Sequence, residues 1–180
     1  MILDDSIFGS DADQTEQDMA AKGAIAPGLY LAEMVGCKDT IANSGSEGTE
    51  MTFRILAGPQ VGKEVKDTLW KSDKIEANNR IKLHAHRLGL TAKVGGKYVR
   101  VEGKTAFADA IGVRVVVDVA NRKYTDKNGQ EKVGSCLAYV GVFSLDDPKA
   151  KAIVASAGVV TGLATSTPVI AKKKIDIMQL

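Results

Sequence analysis

Residues 48–71 carry two short runs of alternating apolar and polar side chains on either side of a glycine-rich turn. Met51, Phe53 and Ile55 alternate with polar residues before the turn, and a similar alternation returns from Val65 onward. Period two places successive side chains on opposite faces of a strand, and Gly-Pro at the break favours a turn. The pattern therefore predicts a β-hairpin with one buried and one solvent-facing side, and the rest of the fold must accommodate it.

The solvent-facing side of this hairpin combines cations with the single tryptophan of the chain. It carries Arg54, Lys66 and Trp70, with Lys71 next to them. Phosphates attract the cations and nucleobases stack on an indole, so this mixture is typical of a surface that binds single-stranded nucleic acid. An ordinary hairpin whose polar face serves only solubility has the same pattern, and this stretch alone leaves both interpretations open.

The remaining segments supply three further strands and two helices. Strands are predicted over residues 29–35, 111–119 and 133–145, and helices over 74–88 and 149–157. The first helix is expected to carry Arg80, Lys82 and Arg87 on its solvent side. Two loops are predicted over residues 37–48 and 122–132, the second turning through a two-residue hairpin at Asn128-Gly129.

Five strands with a helix between the third and fourth are the element order of an oligonucleotide-binding (OB) barrel. We therefore predict a mainly β protein with α-helices: a five-stranded OB-like Greek-key barrel with a helix between strands 3 and 4, a short C-terminal helix and two tails. Strands 2 and 3 would present the ligand face, and the loop between strands 4 and 5 would flank it. This loop adds a basic and aromatic set to the predicted site, with Tyr98 as a lesser stacking candidate: Arg122, Lys123, Tyr124, Lys127 and Lys132.

Four segments within residues 25–145 also carry a family resemblance. They are Pro-Gly-Leu-Tyr at 27–30, the hairpin at 51–65 with its Gly-Pro-x-x-Gly-Lys turn, Leu-Gly-Leu at 88–90, and residues 123–129. In them the chain resembles a family of small, mostly phage-encoded proteins, long catalogued as a domain of unknown function and often described as single-stranded DNA-binding proteins. The resemblance implies an OB-like fold and sequence-tolerant binding of single-stranded DNA in phage DNA replication or recombination.

Charge is distributed unevenly along the chain. Residues 1–22 hold six acids and one base, a net charge of −5, whereas the whole chain has a net charge of +2 and the remainder therefore +7. We predict three parts: an acidic N-terminal arm at 1–22, an OB-like domain at 23–158 and a C-terminal tail at 159–180. An acidic arm can compete with nucleic acid for a basic groove, although solvated acidic segments also serve solubility alone.

The two tails are the expected contact sites for replication or recombination proteins. Proteins of the resembled functional type commonly carry an acidic C-terminal tip, whereas this chain ends in Lys-Lys-Lys-Ile-Asp-Ile-Met-Gln-Leu. Its acidic cluster with apolar flanks lies at residues 2–8 instead, and we hypothesise that this cluster recruits partners. Single-stranded DNA is the expected ligand, while RNA binding and a homo-oligomeric state are left open.

The sequence offers no recognisable catalytic or metal chemistry. His84 and His86 are two residues apart on the predicted helix, hence about 200° apart around its axis, so they cannot chelate one ion and are expected at the surface or the core edge. No nucleophile elbow, Walker-type loop or dinucleotide-binding glycine motif stands in a suitable setting. Asp146 and Asp147 are better explained by helix capping before Pro148 than by metal-dependent nuclease chemistry, for which Asp67, Asp118 and Asp126 are the remaining candidates. We therefore expect neither an enzyme nor a cofactor.

Membrane insertion and secretion are not expected either. No apolar run approaches the ~18 residues needed to span a bilayer, and the first residues, Met-Ile-Leu-Asp-Asp, lack the features of a secretory signal. We expect a cytoplasmic location, in the host cell if the protein is phage-encoded. Cys37 and Cys136 stand in unrelated contexts, which fits free thiols.

A virion structural protein or an adaptor that uses the same barrel for protein contacts is the alternative function, because a barrel does not fix its ligand. Trp70 discriminates between the two. An exposed indole beside Arg54 and Lys66 supports nucleic-acid binding, whereas an indole buried in the core or in a subunit interface supports the alternative.

Overall fold

The computed structural model describes residues 23–157. The predicted acidic arm and C-terminal tail lie outside the described residues. Within them the protein is mainly β with two α-helices. The elements, in chain order, are β1 (Gly28–Ile41), β2 (Glu47–Ile55), β3 (Glu64–Trp70), α1 (Ile75–Arg87), β4 (Thr91–Val94), β5 (Lys97–Arg100), a 3₁₀ turn (Phe107–Ala110), β6 (Arg114–Thr125), β7 (Glu131–Phe143) and α2 (Pro148–Ser156).

Five of these strands form one antiparallel sheet with the spatial order β3-β2-β1-β6-β7. Helix α1 lies in the chain between the third and fourth strands of this sheet, as predicted. Strands β4 and β5 form a separate two-stranded hairpin after α1. No ladder joins β3 to β7, so the sheet has two edges and the five strands do not close into the predicted barrel.

Helix α1 connects the two edge strands through side chains instead of a ladder. Arg80 donates from Nη1 to the carbonyl of Thr68 on β3 (3.1 Å) and from Nε to that of Tyr139 on β7 (2.6 Å). Arg87 donates from Nη1 to two further carbonyls of β7, at 3.1 and 2.6 Å. These contacts cover backbone acceptors that an edge strand would leave open. The prediction that Arg80 and Arg87 face solvent is wrong, because their side chains are only 12% and 16% exposed.

A wide irregularity in β7 creates this connection. The strand pairs regularly with β6 up to Leu137 and again from Val142, but residues 138–141 between them oppose a single residue of β6. At Gly141 a Cβ atom would lie 2.8–2.9 Å from three backbone atoms, so only glycine fits there without a backbone shift. The bulge turns Tyr139 outward, where its side chain is 59% exposed.

The hairpin alternation expected from the sequence is confirmed. Met51, Phe53, Ile55 and Val65 are at most 1% exposed and belong to the main core, against which part of α1 packs. A second, smaller apolar cluster lies on the opposite face of the sheet, where α2 packs on β1, β6 and the end of β7. Asp147 caps α2 by accepting a hydrogen bond from the Lys149 amide (2.9 Å), which agrees with the predicted helix start.

Both predicted loops are largely strand. Residues 37–48 were expected to form a loop, but β1 extends to Ile41 and β2 begins at Glu47, which leaves a turn of residues 42–46. The cause is cross-strand pairing of polar side chains, for example Lys38 with Glu50 at 3.2 Å.

The same correction applies to residues 122–132. Strand β6 continues to Thr125 and β7 begins at Glu131, so only residues 126–130 connect them and the expected two-residue turn is wrong. The carboxylate of Asp126 accepts hydrogen bonds from the amides of Asn128 (2.8 Å) and Gln130 (3.0 Å), which stabilises the longer connection. The chain therefore forms a two-stranded projection, residues 120–136, which we call the β6–β7 arm.

Candidate nucleic-acid interface

Trp70 ends β3 on the face of the sheet opposite the main core, and its side chain is 38% exposed. It pairs across strands with Gly48, where a Cβ atom would lie 2.5 Å from indole Cε3. The indole therefore covers Gly48, and a larger residue at that position would displace it. Trp70 is exposed, as the nucleic-acid interpretation requires.

The cations expected beside Trp70 are all paired with carboxylates of the hairpin. The pairs are Arg54–Glu64 (2.8 Å), Lys66–Glu50 (3.1 Å) and Lys71–Glu47 (2.5 Å). Exposed pairs of this kind stabilise a fold by only ~0–1 kcal/mol each. Their more important effect is electrostatic, because each pair compensates the charge of its cation.

The pairing also lowers the pKa values of two carboxyl groups. The hydrogen bond and the charge of Lys71 lower the pKa of Glu47. The hydrogen bond from Lys66 likewise outweighs partial burial and lowers the pKa of Glu50, with a smaller further contribution from Lys38. Both carboxylates are therefore charged at neutral pH, and the compensation of the nearby cations persists there.

The β6–β7 arm holds the second predicted group. The ring of Tyr124 covers Gly134 on the neighbouring strand, where a Cβ atom would lie 3.0 Å from Cε1. Arg122 and Lys132 lie on the same face of the arm as Tyr124, because they occupy alternate or opposed positions in the ladder. Lys123 lies on the other face by the same alternation.

Three of the four cations of this group have no carboxylate partner. Lys132 pairs with Asp126 at 2.7 Å, and this contact raises the pKa of Lys132 and, with two backbone amides, lowers that of Asp126. Arg122, Lys123 and Lys127 have no carboxylate oxygen within 4.0 Å among residues 23–157. The arm therefore offers positive charge that is not already neutralised.

The β4–β5 hairpin carries a further set that sequence reasoning missed apart from Tyr98. The ring of Tyr98 packs beside that of His86, with centroids 5.0 Å apart, and remains partly exposed. The cations Lys93, Lys97 and Arg100 lie on this hairpin and have no carboxylate within 4.0 Å in the described part of the chain. The sequence feature that indicates this hairpin is the Gly-Gly pair at 95–96, which is flanked by cations and valines. In the structure both glycines have positive φ.

The predicted residues do not form one cluster. Trp70 lines a cleft together with Tyr139 of β7, and Tyr139 lies seven positions along β7 from Lys132, which pairs with Tyr124. At ~3.3 Å per strand residue this spacing corresponds to roughly 20 Å. The two groups are separate patches connected by β7.

A buried ionic cluster that was not predicted lies between β3 and α1. Arg80 Nη2 donates to both oxygens of Asp67 at 2.7 Å, and His84 Nε2 lies 3.4 Å from Asp67 Oδ2. His84 Nδ1 donates to the carbonyl of Arg80 (2.9 Å), and the ring is fully buried, so its expected place at the surface or core edge is wrong. Burial alone would raise the pKa of Asp67, but the adjacent His84 ring together with the charge and hydrogen bonds of Arg80 outweighs it and lowers that pKa.

Within the described range of the chain, no group of three or more His, Cys, Asp or Glu side chains is placed to hold a metal ion. No helix between residues 23 and 157 is long and apolar enough to cross a bilayer.

The chain matches no protein-family model and no curated protein sequence. The family resemblance drawn from the sequence therefore stays a prediction.

Proposed function

We propose that this protein binds single-stranded DNA without sequence preference, by stacking bases on exposed aromatic rings and by neutralising phosphates with unpaired cations. The observation that carries the proposal is a repeated arrangement in which an exposed ring lies against a small or planar group. The four instances are Trp70 on Gly48, Tyr124 on Gly134, Tyr98 beside His86 and Tyr139 over the Arg80 guanidinium. Stacking of this kind accepts any base, because every base has a π-face.

The phosphate contacts are assigned to the β6–β7 arm and the β4–β5 hairpin. Their cations lack carboxylate partners in the described residues, whereas Arg54, Lys66 and Lys71 are compensated by Glu64, Glu50 and Glu47. Binding of a polyanion to a compensated cation must first displace the carboxylate, which reduces the gain. The proposed site is thus more distributed than a single groove on strands 2 and 3.

The fold supports this assignment as an open relative of the OB barrel. Five antiparallel strands, a helix after the third of them, and side-chain contacts from that helix to both sheet edges are the features that favour it. The resemblance to phage single-stranded DNA-binding proteins extends the proposal to phage DNA replication or recombination.

A salt titration with labelled oligonucleotides tests the proposed function. Fluorescence anisotropy of oligo-dT should show binding at low salt, with log K falling by about 0.7 per tenfold rise in salt for each phosphate neutralised. Parallel titrations with duplex DNA and with RNA of the same length establish ligand preference. Absence of binding to all three at low salt, combined with concentration-dependent self-assembly, would instead favour the virion or adaptor role.

A further inference from the structure

A small cleft opens at the seam between β3 and β7, where α1 joins the two edge strands. It has a volume of about 130 Å³ and is lined by Leu69, Trp70, Ala77, Arg80, Ile81 and Tyr139. The bulge in β7 projects Tyr139 beside it, and the end of β3 supplies Trp70. Two exposed aromatic side chains from opposite edges of the sheet therefore border one cleft.

The cleft offers ring faces and aliphatic carbon, with few free hydrogen-bonding groups. The Arg80 guanidinium lies 4.9 Å from the centroid of Tyr139, but its nitrogens already donate to Asp67 and to the carbonyls of Thr68 and Tyr139. A ligand bound here would be recognised through stacking and packing rather than through a pattern of donors.

The volume of the cleft is close to that of one small flat ring. An apolar cavity of about 150 Å³ accommodates a benzene molecule, so a cleft of about 130 Å³ suits a single six-membered ring. A pyrimidine base is of this size, whereas the fused rings of a purine are larger.

We infer that this cleft receives one unpaired pyrimidine base of a single strand, held between Trp70 and Tyr139. The inference rests on the proposed function and adds to it a residue, Tyr139, and a preference for pyrimidines at one position of the strand. Elsewhere along the strand, Tyr124 and Tyr98 stack bases without size restriction. The remaining nucleotides therefore contribute no preference.

Trp70 provides the measurement, because it is the only tryptophan in the chain. Oligo-dT should quench the emission of the full-length protein, whereas oligo-dA of the same length should bind more weakly and quench less. Tyr139→Ala should weaken oligo-dT binding by about 5- to 150-fold, the loss expected for one stacked base. Tyr139→Phe keeps the ring and should bind as the wild type does, as should Ile41→Ala, which alters an exposed apolar residue on another part of the sheet.

The outcomes separate the cleft from the proposed function. If labelled oligo-dT binds by anisotropy while Trp70 emission stays constant and Tyr139→Ala binds like the wild type, the cleft assignment is wrong and the proposed function stands. Equal affinity and equal quenching with oligo-dA overturn the pyrimidine preference. If neither oligonucleotide binds the wild type at low salt, the proposed function fails and the cleft assignment fails with it. Circular dichroism of each variant shows whether it is folded.

Discussion

Among single residues, Asp67 makes the contacts on which the position of α1 depends. Its carboxylate lies on the core side of β3, holds Arg80 through two hydrogen bonds and faces the buried ring of His84. Arg80 in turn reaches the carbonyls of both edge strands. Removing the carboxylate would leave a guanidinium group without its counter-charge in a largely buried position.

Asp67→Asn should therefore destabilise the protein by roughly 3–5 kcal/mol at pH 7, the usual result of breaking a buried ion pair. The measurement is urea-induced unfolding followed by circular dichroism. Glu64→Gln is the matched control, because it breaks the exposed Arg54–Glu64 pair of the same strand and should change stability by less than about 1 kcal/mol. Equal effects of the two substitutions would contradict the role given to Asp67.

The difference in stability between the wild type and Asp67→Asn should depend on pH in a defined direction. Because the pKa of Asp67 is lowered on folding from its ordinary value of 3.8, its contribution is present above that value and is lost as the pH falls through the lower folded pKa. The stability gap between wild type and Asp67→Asn should be constant near neutral pH and should shrink in acid. A gap that widens below pH 3.8 would show that Asp67 is not stabilised in its charged form.

The sequence could not reveal this cluster. Asp67 interrupts the apolar face of β3, and period-two analysis treats such a residue as a defect in the pattern rather than as a contact. Its partners lie 13 and 17 positions away on a helix whose arginine looks like a solvent-facing residue. Only the packing of α1 against β3 brings the three side chains together.

Among the structural elements, the β6–β7 arm is expected to make the largest contribution to phosphate binding. Replacing Arg122, Lys123 and Lys127 with Gln should flatten the salt dependence of oligo-dT binding by about 2 units of log K per log salt, if each contacts one phosphate. The measurement is the anisotropy titration at several salt concentrations. The arm contributes no residue to the main core cluster, so the folded structure should persist.

The matched control is the triple replacement of Arg54, Lys66 and Lys71 with Gln. These cations have carboxylate partners, so their removal should lower affinity through net charge while the salt slope changes by less than one unit. If the slope of log K against log salt falls more in this control than in the β6–β7 arm variant, the phosphates bind along strands β2 and β3 instead.

Element prediction succeeded where apolar residues alternate and failed where polar residues pair across strands. The hairpin of β2 and β3 and the existence of both helices followed from apolar periodicity and turn residues. The extension of β1 to Ile41 did not, because its residues resemble a loop in composition and are held by contacts such as Thr49 with Asp39 at 3.2 Å. The bulge in β7 left no sequence signal beyond Gly141.

For the whole molecule, charge asymmetry sets the expectation. Residues 1–22 carry a net charge of −5 and lie outside the described residues, while the rest of the chain carries +7. Deleting residues 1–22 should strengthen oligo-dT binding at low salt, because it removes a competing polyanionic segment, and the gain should diminish above about 0.15 M salt. Anisotropy at several salt concentrations measures the effect.

A variant of full length separates charge from chain length. Replacing the six acids of residues 1–22 with their amides should reproduce the deletion if charge is responsible. Unchanged affinity in both proteins would show that the acidic N-terminal arm has no role in DNA binding. A gain in affinity from the deletion alone would indicate that this arm excludes DNA sterically.

The seam between β3 and β7 is also the line along which local opening of the sheet is expected. A continuous ladder separates only when many hydrogen bonds break together, but at this seam the Arg80 guanidinium bridges the two edges, Arg87 binds α1 to β7, and the main core packs beneath them. Local opening along this line costs less free energy than global unfolding and leaves all four ladders of the main sheet and the small hairpin intact. An opening along this line would widen the cleft that Trp70 and Tyr139 border, and a single strand of DNA would then enter it from the side without threading an end.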